Sequence, residues 1–594
     1  MLKKTRFAEL LIKKGVIDEE TFEKAVYIAA EEGPENQRKL EEILTSDLKI
    51  DHDAVYRTIA ELYAFRTIDI DPEKVEQSQI KHTREILNKF KDDFKKNLLF
   101  RKVLPYRLAT GRKNTLIILA ADPTEKIIEQ IPAKTEFKKY EIVYCKLSVI
   151  EELISIIAPQ KNEFLELLEE AGEQLQEVSE QSMEGPVDEY EIDNEINKSL
   201  LVNLFEGCLV EAVRKKSSDI HIIPHGRSSV EFYFRVDGKL VRWHRQDNTS
   251  PEAISAVVKD RSSGVDRFER DTAQDGFTQR LVDGHLIRFR VSILPIVSSE
   301  YERKYESIVI RIVDDRNVIT DLRKLGFQKQ AESDFLKSIN KSKGIVLVTG
   351  PTGSGKSTTL MAALYNTIDP TKNVLTCEDP VEYVIRGARQ IKIGYKLSFD
   401  EAIRSILRHD PDIVMVGEIR DNLTAEVAIK LANTGHLTFS TLHTNDAPSA
   451  ISRLYKMGIE TFLLAYAINI IIAQRLIRRL CPDCKKPLSE DKYQTALDFG
   501  ITQEELDAGM VYEASEGCKK CIGGYKGRLN ICEALYFSPE IRKVVLDSRT
   551  DIDEEKIREI AEGQGMLSLH ESALDRVRNG LTTLSEAIYA TSED

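Results

Sequence analysis

Residues 344–359 read GIVLVTGPTGSGKSTT, a stretch that predicts a strand, a phosphate-binding loop and a helix in direct succession. The apolar run from Gly344 to Val348 is typical of a buried strand, and a helix-forming run follows the loop. Between them lies G-x-x-x-x-G-K-S, the P-loop pattern, whose glycines let backbone N–H groups surround phosphate oxygens at a helix N-terminus. The residues expected to contact a nucleotide are Gly350, Pro351, Thr352, Gly353, Ser354, Gly355, Lys356, Ser357 and Thr358.

Lys356 and Ser357 have the most specific expected roles in this loop. The Lys356 ammonium would reach the β- and γ-phosphates, and the Ser357 hydroxyl would bind Mg²⁺. The alternative is a chance glycine turn before a helix, and the strand, loop and helix in the required order argue against it. We therefore expect ATP and Mg²⁺ as ligands.

Composition limits the class of protein. The chain has 594 residues, 42% of them hydrophobic, which suits several packed cores and roughly four domains by length. Its formal net charge of −14 argues against a nucleic-acid coat protein, and we expect no direct nucleic-acid partner. The longest apolar stretch, Phe462 to Ala473, is too short to span a bilayer and is expected to form a buried helix. With no visible signal peptide, these features predict a cytosolic protein.

Hydrophobic periodicity and charge divide the chain into seven predicted segments, and the expected fold class is multidomain α/β and α+β. Alternating strands and helices in 321–480 indicate a parallel-sheet nucleotide-binding core, and the strand patterns in 199–320 indicate an antiparallel sheet. The segments are a helical module (1–65), a small α/β domain (66–158), an acidic linker (159–198), the antiparallel-sheet domain (199–320), the nucleotide-binding core (321–480), a cysteine-containing segment (481–535) and a C-terminal helical segment (536–594).

Acidic residues follow two predicted strands of the nucleotide-binding core. Glu418 comes after the strand Ile413–Val416, where α/β sheets bind ligands, and could hold Mg²⁺ through water or orient the attacking water. TCEDPVEY places Glu378, Asp379 and Glu382 close after another strand, where carboxylates near a polyphosphate suit Mg²⁺ binding or the activation of water. The alternatives are a surface glutamate for Glu418 and ordinary turn chemistry for the E-D-P sequence.

His436 and His443 flank the apolar strand in TGHLTFSTLHTN. A lone histidine is more often structural than functional. Two histidines around a core strand of a P-loop domain are well placed to sense the γ-phosphate or to transmit its loss. The alternative is that both are satisfied structural histidines.

Arg235, Arg290 and Arg311 lie on predicted strands of the antiparallel-sheet domain. They are candidates because phosphoryl transfer is often completed by a guanidinium group. Each could instead be an ordinary surface residue of a strand. The run QRLIRR (474–479) is interpreted as a charged face against a neighbour.

Two C-x₂-C pairs, CPDC at 481–484 and CKKC at 518–521, suit a tetrahedral structural zinc site. A thioredoxin-type redox site needs only one such pair. The predicted zinc ligands are Cys481, Cys484, Cys518 and Cys521. The other cysteines, Cys145, Cys208, Cys377 and Cys532, are expected to be core thiols.

These motifs together resemble the secretion ATPases of type II secretion and type IV pilus assembly. The resemblance lies in GPTGSGKSTT, TCEDPVEY, RSILRHDPDIVMVGEIRD, TGHLTFSTLHTNDA, QRLIRRLC with its two CxxC pairs, and GYKGR. SSDIHIIP and FRVDG resemble the start of that family's second N-terminal domain, and RKVLPYRL with LIILAADPTE resembles its first. The resemblance covers essentially the whole chain outside the linker.

The resemblance implies a RecA-like ATPase domain preceded by a PAS-like N2 domain, and six chains in a ring. It places Lys356 and Ser357 in the Walker A box, and Glu378, Asp379 and Glu382 in the Asp box, which supplies the water-activating acid. It makes Glu418 the Walker B acid, puts His436 and His443 in the His box, and counts Arg235, Arg290 and Arg311 among arginines that could close on the nucleotide.

The implied function is a homohexameric ATPase that drives pilus or pseudopilus assembly through an inner-membrane platform protein, at the inner face of the cytoplasmic membrane. The cysteine pairs are typical of assembly motors and are missing from retraction ATPases. Three alternatives stay open: a DNA-uptake or conjugation motor of the same superfamily, a nucleotide-gated scaffold without turnover, and a helicase.

The N-terminal repeats depart from the family's cyclic di-GMP-binding module, whose repeats begin with R-L-G. Here they begin Arg6-Phe7-Ala8 and Arg38-Lys39-Leu40. Because both glycines are replaced, cyclic di-GMP is only a weakly supported candidate ligand.

Overall fold

The computed structural model describes residues 5–31, 38–48, 50–109, 115–135, 137–158, 200–297, 304–394, 396–548 and 551–592. The predicted linker, 159–198, lies outside these residues. The chain forms two compact units. Their bounds are Met1–Val213, Ala256–Arg261 and Gln279–Leu286 for the first unit, and Arg214–Ser255, Ser262–Thr278 and Ile287–Asp594 for the second.

The first unit begins with four short helices, as predicted for 1–65. Thr5 and Asp51 cap two of them by accepting a hydrogen bond from a backbone N–H in the first turn. Leu11, Ile43 and Ile59 pack into their shared core. The helices are α1 (Arg6–Lys13), α2 (Glu19–Glu31), α3 (Leu40–Ser46) and α4 (His52–Leu62).

A small mixed sheet with flanking helices follows, which confirms the α/β pattern predicted there. The strand order is β1-β4-β3-β2, with only β2 antiparallel to its neighbour. The strands are β1 (Arg66–Thr67), β2 (Val103–Leu108), β3 (Thr115–Ala120) and β4 (Lys139–Tyr144). The helices are α5 (Gln77–Leu87), α6 (Asp92–Phe100), α7 (Ile131–Lys134) and α8 (Leu147–Ile157).

The next part of the chain forms a six-stranded sheet in the order β7-β6-β5-β10-β9-β8. The antiparallel pairing predicted for 199–320 is confirmed, although β7 and β8 were not predicted. Its PAS-like identity stays a prediction. The strands are β5 (Asp219–Pro224), β6 (Ser229–Val236), β7 (Lys239–Asp247), β8 (Gln274–Val282), β9 (His285–Val297) and β10 (Lys304–Val313), and the helices are α9 (Leu200–Arg214) and α10 (Pro251–Asp260).

A seven-stranded sheet, ordered β13-β12-β14-β15-β11-β16-β19, holds the P-loop strand near its centre. All neighbours are parallel except β16 and β19. The carboxyl ends of β11, β12, β14 and β15 therefore meet at one edge, where α/β sheets bind ligands. The strands are β11 (Gly344–Thr349), β12 (Val374–Glu378), β13 (Ala388–Lys392), β14 (Ile413–Val416), β15 (Leu437–Leu442), β16 (Ile468–Leu480) and β19 (Tyr525–Tyr536).

Helices cover this sheet, and short elements surround the cysteine pairs. The helices are α11 (Lys329–Ile339), α12 (Lys356–Thr367), α13 (Phe399–Ile406), α14 (Asn422–Asn433), α15 (Ala447–Lys456), α16 (Thr461–Ala467), α17 (Tyr493–Asp498), α18 (Gln503–Asp507), α19 (Pro539–Asp547), α20 (Glu554–Gly563), α21 (Leu569–Arg578) and α22 (Leu584–Thr591). Two short strands, β17 (Lys486–Pro487) and β18 (Tyr512–Glu513), pair with each other. The 3₁₀ helices are Pro72–Lys74, Lys126–Gln130, Asp315–Asn317, Leu322–Leu325 and Glu490–Lys492.

The prediction of one buried helix from Phe462 to Ala473 is wrong. Helix α16 ends at Ala467, and β16 begins at Ile468. The strand starts where β-branched isoleucines dominate, and it pairs with β11 on one side and β19 on the other. Among the described residues, no helix has both the length and the apolar content required to cross a membrane.

QRLIRR lies in β16, and the interpretation of this run as one charged face against a neighbour is wrong. Gln474 and Arg475 are buried within the chain, and Arg478 pairs with Glu586. Because β19 also joins this sheet, the sheet extends past residue 480 into the predicted cysteine-containing segment. The predicted domain boundaries stay predictions.

Candidate active site

The loop between β11 and α12 adopts a backbone that favours glycine at three positions. Gly350, Gly353 and Gly355 have φ values of 137°, 81° and 90°. A Cβ on Gly350 would also collide with the backbone oxygen of Gln474. The loop therefore needs glycines for its shape and for close packing, as a phosphate cradle does.

Lys356 begins α12 and folds back over the loop. Its Nζ donates to the carbonyl oxygens of Gly350 (2.7 Å) and Pro351 (3.1 Å). Burial lowers the pKa of Lys356, and the negative charge of Glu418 opposes this effect. The Ser354 hydroxyl is buried with no hydrogen-bond partner among the described residues. A cationic amine and an unpartnered hydroxyl in one glycine loop are chemically suited to phosphate oxygens.

Gln474 supports the loop from β16, and sequence reasoning missed it. Its Nε2 donates to the carbonyl oxygen of Ser354 (2.7 Å), and its Oε1 accepts from the hydroxyl of Thr359 in α12 (2.8 Å). The side chain is buried, and its amide NH₂ and oxygen have partners in the loop and in the helix, as buried polar groups require. A signal was available, because Gln474 is a polar residue directly after the apolar run IIIA (470–473).

Glu418 lies at the centre of a cluster of charged and polar groups at the carboxyl edge of the sheet. It contacts His443 and Arg420, and Arg420 also contacts Asp379. Oε1 of Glu418 lies 3.1 Å from Nε2 of His443, and Oε2 lies 2.9 Å from Nε of Arg420. The same guanidinium lies 3.4 Å from Oδ2 of Asp379. Three predicted site residues are thus brought together, and Arg420 is a fourth that the sequence did not single out.

Hydrogen bonds between neighbouring strands fix the two turns that carry Glu418 and His443. Ser440 donates to the carbonyl oxygen of Val416 (2.6 Å), and Thr441 donates to that of Gly417 (2.8 Å). The amide of Ile419 donates back to Thr441 (2.9 Å). These three bonds bracket Glu418, so the backbone that carries its side chain is held by the strand that leads to His443.

Glu378 is placed differently from Glu418, because its side chain is buried at the end of β12. Its Oε1 accepts from Thr376 (2.7 Å) and from Gln390 (2.8 Å). Gln390 also donates to the carbonyl oxygen of Tyr383 (2.8 Å). Glu378 therefore anchors the loop that contains Asp379 and Glu382.

Arg290 and Arg311 contact this same loop. Arg290 donates to the carbonyl oxygen of Val381, and Arg311 lies 3.8 Å from Oε1 of Glu382. Burial lowers the pKa of Arg290, and Glu382 opposes this effect. Two of the three predicted arginines thus contact the loop that contains Asp379 and Glu382.

The predicted arginines form one cross-strand row around a residue that the sequence analysis did not select, Asp219. In register, Arg290 faces Arg311, Arg311 faces Asp219, and Asp219 faces Arg235. The Asp219 carboxylate lies 3.3 Å from Nε of Arg311 and 3.7 Å from Nε of Arg235. Arg235 also donates to the carbonyl oxygen of Gly238 (3.1 Å). Asp219 therefore orients two arginines and offsets their repulsion.

The structure does not bring the two histidines into one site. His443 follows the carboxyl end of β15, whereas His436 precedes its amino end, roughly 20 Å away for an extended segment of this length. The ring of His436 lies 3.0 Å from the carbonyl oxygen of Leu431 and 3.1 Å from the Thr434 hydroxyl. Residues at opposite ends of one strand lie at opposite edges of the sheet, so only His443 reaches Glu418.

The fit to MgATP follows from the donor groups at this edge. The P-loop supplies backbone amides, Lys356 and the exposed Ser357. Among the described residues, only the four cysteines form a cluster of three or more His, Cys, Asp or Glu side chains with converging ligand atoms. The acids here do not enclose an ion by themselves. This suits Mg²⁺, which keeps waters and phosphate oxygens among its ligands.

The two cysteine pairs lie close together, as predicted. Their four Sγ atoms lie within 4.8 Å of one another. Two of the separations are 3.9 Å, between Cys481 and Cys518, and 3.6 Å, between Cys484 and Cys521. Tetrahedral Zn–S bonds imply sulfur separations of about 3.8 Å, so the cluster has the dimensions of a Cys₄ zinc site. The other four cysteines are buried, as expected of core thiols.

Comparisons with known proteins agree with this geometry. Residues 194–589 match the family described as type II/IV secretion system protein. The chain is 34% identical to the type IV pilus assembly ATPase PilB of Myxococcus xanthus, over 99% of each chain. It is 36% identical to the type II secretion system ATPase E of Vibrio cholerae, over 79% of this chain and 88% of that one. The ATPase DotB of Legionella pneumophila shares the fold, with a TM-score of 0.50 and 21% identity over 66% of this chain and 96% of its own. The chain therefore belongs to the type II/IV secretion system protein family, and the relatives named here are ATPases.

Proposed function

We propose that this chain is an ATP-hydrolysing motor that drives the assembly of a type IV pilus. The observation that carries the proposal is the meeting of Glu418 and His443 beside the P-loop lysine. A triphosphate in the loop would then face a cation, a carboxylate and an imidazole. The similarity to a pilus assembly ATPase over 99% of both chains supports the pilus as the machine.

Each of these side chains has a defined task in hydrolysis. Lys356 exchanges its loop carbonyls for phosphate oxygens, and Glu418 orients the attacking water or accepts its proton. His443 holds the Glu418 carboxylate in place. Mg²⁺, bound through Ser357 and the phosphates, would supply charge neutralisation. Arg290 and Arg311 link the Asp-box loop to the six-stranded sheet, so loss of the γ-phosphate can be transmitted to that sheet.

Several finer features belong to the same proposal. The chain acts as a homohexamer on the cytoplasmic side of the inner membrane, with an inner-membrane platform protein as its partner. Its six-stranded sheet belongs to a PAS-like N2 domain, and its cysteine cluster binds structural zinc. Cyclic di-GMP at the N-terminal module has the least support, and no nucleic acid is involved.

Type II secretion is the second candidate machine. The observation that favours it is the 36% identity over 475 residues to a type II secretion ATPase. The motor chemistry would be the same, and only the polymerised subunit would differ.

The first test is phosphate release by the purified chain with MgATP, together with its mass in solution. We expect turnover by a hexamer, no turnover for Lys356→Ala, and ATP binding without turnover for Glu418→Gln. Glu426→Gln, on the exposed face of α14, is a matched control that should keep full activity. In the organism of origin, deletion of the gene should remove surface pili, and only catalytically active variants should restore them. Loss of secreted enzymes with intact pili would select type II secretion instead.

A further inference from the structure

The turn that carries His443 is braced by the strand that leads into the P-loop. The Thr349 hydroxyl lies 2.8 Å from that of Thr444 and accepts from the Thr444 amide at 2.8 Å. The Thr444 hydroxyl lies 3.0 Å from the carbonyl oxygen of Asp446. Thr349 immediately precedes Gly350, so one residue connects the phosphate loop and the histidine turn.

Asp446, at the other end of this turn, has two separate tasks. Its Oδ1 accepts from the amide of Ser449 (2.8 Å) and so caps α15. Its Oδ2 accepts from Arg558 of α20 (2.9 Å). The end of the histidine turn is thereby fixed by a helix about a hundred residues further along the chain.

Arg558 is itself held by a buried carboxylate. Its second terminal nitrogen lies 3.3 Å from Oε2 of Glu533 on β19, and Oε1 of Glu533 accepts from the amide of Ala447 (3.2 Å). Glu533 is only 1% exposed. Removing one partner of such a network leaves a buried charge uncompensated, so the remaining groups must move. Arg558 therefore ties Asp446 and Glu533 into one rigid unit.

We propose that Arg558 is a positioning residue for ATP hydrolysis, which holds the turn 443–446 so that His443 keeps its contact with Glu418. This inference rests on the proposed function. It adds a residue of the C-terminal helical segment to a site otherwise built from the parallel sheet. Its partners are Asp446 and Glu533, so it acts through the turn.

The test compares Arg558→Gln with Asp446→Asn in steady-state ATP hydrolysis. Asparagine keeps the carbonyl that caps α15 but offers no second acceptor to Arg558, so it removes one bond and retains the helix cap. Both variants should lower kcat roughly 5- to 20-fold, with the KM for ATP within about twofold of wild type, because misplaced catalytic groups slow turnover. Arg558→Lys should fall between them and wild type. The control is Arg578, which lies in the same C-terminal segment as Arg558 and pairs with Glu505. Arg578→Gln breaks this pair and should retain wild-type kcat.

A double-mutant cycle separates positioning from general destabilisation. In a His443→Ala background, Arg558→Gln should change kcat by less than about twofold, because the side chain that it positions is gone. If His443→Ala and Arg558→Gln instead lower kcat by independent factors that multiply in the double variant, the inference is overturned. A wild-type kcat for both Arg558→Gln and Asp446→Asn would also overturn it. If Arg558→Gln fails to fold, Asp446→Asn alone decides. A wild-type chain that binds ATP without hydrolysing it would overturn the proposed function, and this inference with it.

Discussion

Nε2 of His443 lies 3.1 Å from Oε1 of Glu418, at the carboxyl ends of the neighbouring strands β15 and β14. Arg420 holds the other oxygen of the same carboxylate at 2.9 Å. Two donors on two oxygens leave the carboxylate little rotational freedom, which is what a group that orients water requires. The geometry therefore makes His443 an orienting partner of Glu418.

Replacing His443 by Gln should lower kcat about tenfold and leave ATP affinity nearly unchanged. Glutamine can donate one hydrogen bond to Glu418, but it lacks the planar imidazole ring. The measurements are single-turnover hydrolysis and nucleotide binding by fluorescence. His409→Gln, at an exposed position after α13, is the matched control and should behave as wild type. A His443→Gln enzyme with full turnover would show that Glu418 needs no such partner.

Gln474→Leu should weaken nucleotide binding more than it weakens the fold. Leucine has a similar volume, but it leaves the Ser354 carbonyl and the Thr359 hydroxyl without their buried partner, at about 1–3 kcal/mol for each unsatisfied group. Both groups belong to the phosphate loop or its helix. We expect an increase of roughly tenfold in the Kd for ATP, measured by calorimetry. The conservative Gln474→Glu offers no donor to Ser354 and should weaken binding as well; unchanged affinity in both variants would contradict the bracing role.

Asp219→Asn should slow ATP turnover because it removes the charge between Arg235 and Arg311. With asparagine, no negative charge offsets the repulsion between the two guanidinium groups, and one of the two acceptor oxygens becomes an amide NH₂ that cannot accept. We expect kcat to fall roughly fivefold and to become more sensitive to salt, since screening then acts on an uncompensated pair. Asp247→Asn, at an exposed position at the end of β7 in the same sheet, is the control. Equal salt dependence in the two variants would argue against this role.

The sequence predicts those parts of the site in which a motif directly follows a predicted strand. The glycine loop, Lys356 and Glu418 follow buried strands, so their place at one sheet edge could be predicted from parallel-strand geometry alone. The prediction of a helix from Phe462 to Ala473 failed because a continuous apolar stretch has no periodicity that distinguishes a helix from a strand. The long-range pairs could not be predicted, because partners such as Gln474 and Thr359, or Arg558 and Asp446, are 115 and 112 residues apart.

Glu533 should make the fold less stable as pH rises through neutrality. Burial raises its pKa from 4.5 to about 7, and the Arg558 charge opposes this rise. Asp446 raises the pKa further, and the Ala447 amide lowers it. Because the folded pKa lies above the unfolded value, its stabilising contribution is complete below pH 4.5 and is lost as pH rises through about 7.

Thermal melts of wild type and Glu533→Gln between pH 5.5 and 8.5 measure this effect. The Tm of the variant relative to wild type should rise with pH, and the corresponding change in the free energy of unfolding is at most about 3 kcal/mol, the limit set by the pKa difference. Glu559→Gln, exposed on α20, should show a constant difference. A constant difference for Glu533→Gln as well would mean that Glu533 stays ionised throughout this range.

Removing the metal with a chelator should affect the cysteine cluster but not ATP binding. Four thiolates at zinc-like spacing would hold the metal tightly and repel one another once it is removed. We expect about one zinc per chain by elemental analysis, and none in a Cys484→Ser, Cys521→Ser double variant. ATP binding to the isolated chain should survive, because the P-loop strand β11 lies between β15 and β16, and the hydrogen bonds from Lys356 and Gln474 that shape its loop do not involve the cysteines. The cysteine segment should lose hydrogen-exchange protection, whereas β11 should keep it. A chain that contains no zinc and keeps full protection would show that the four thiols are structural without a metal.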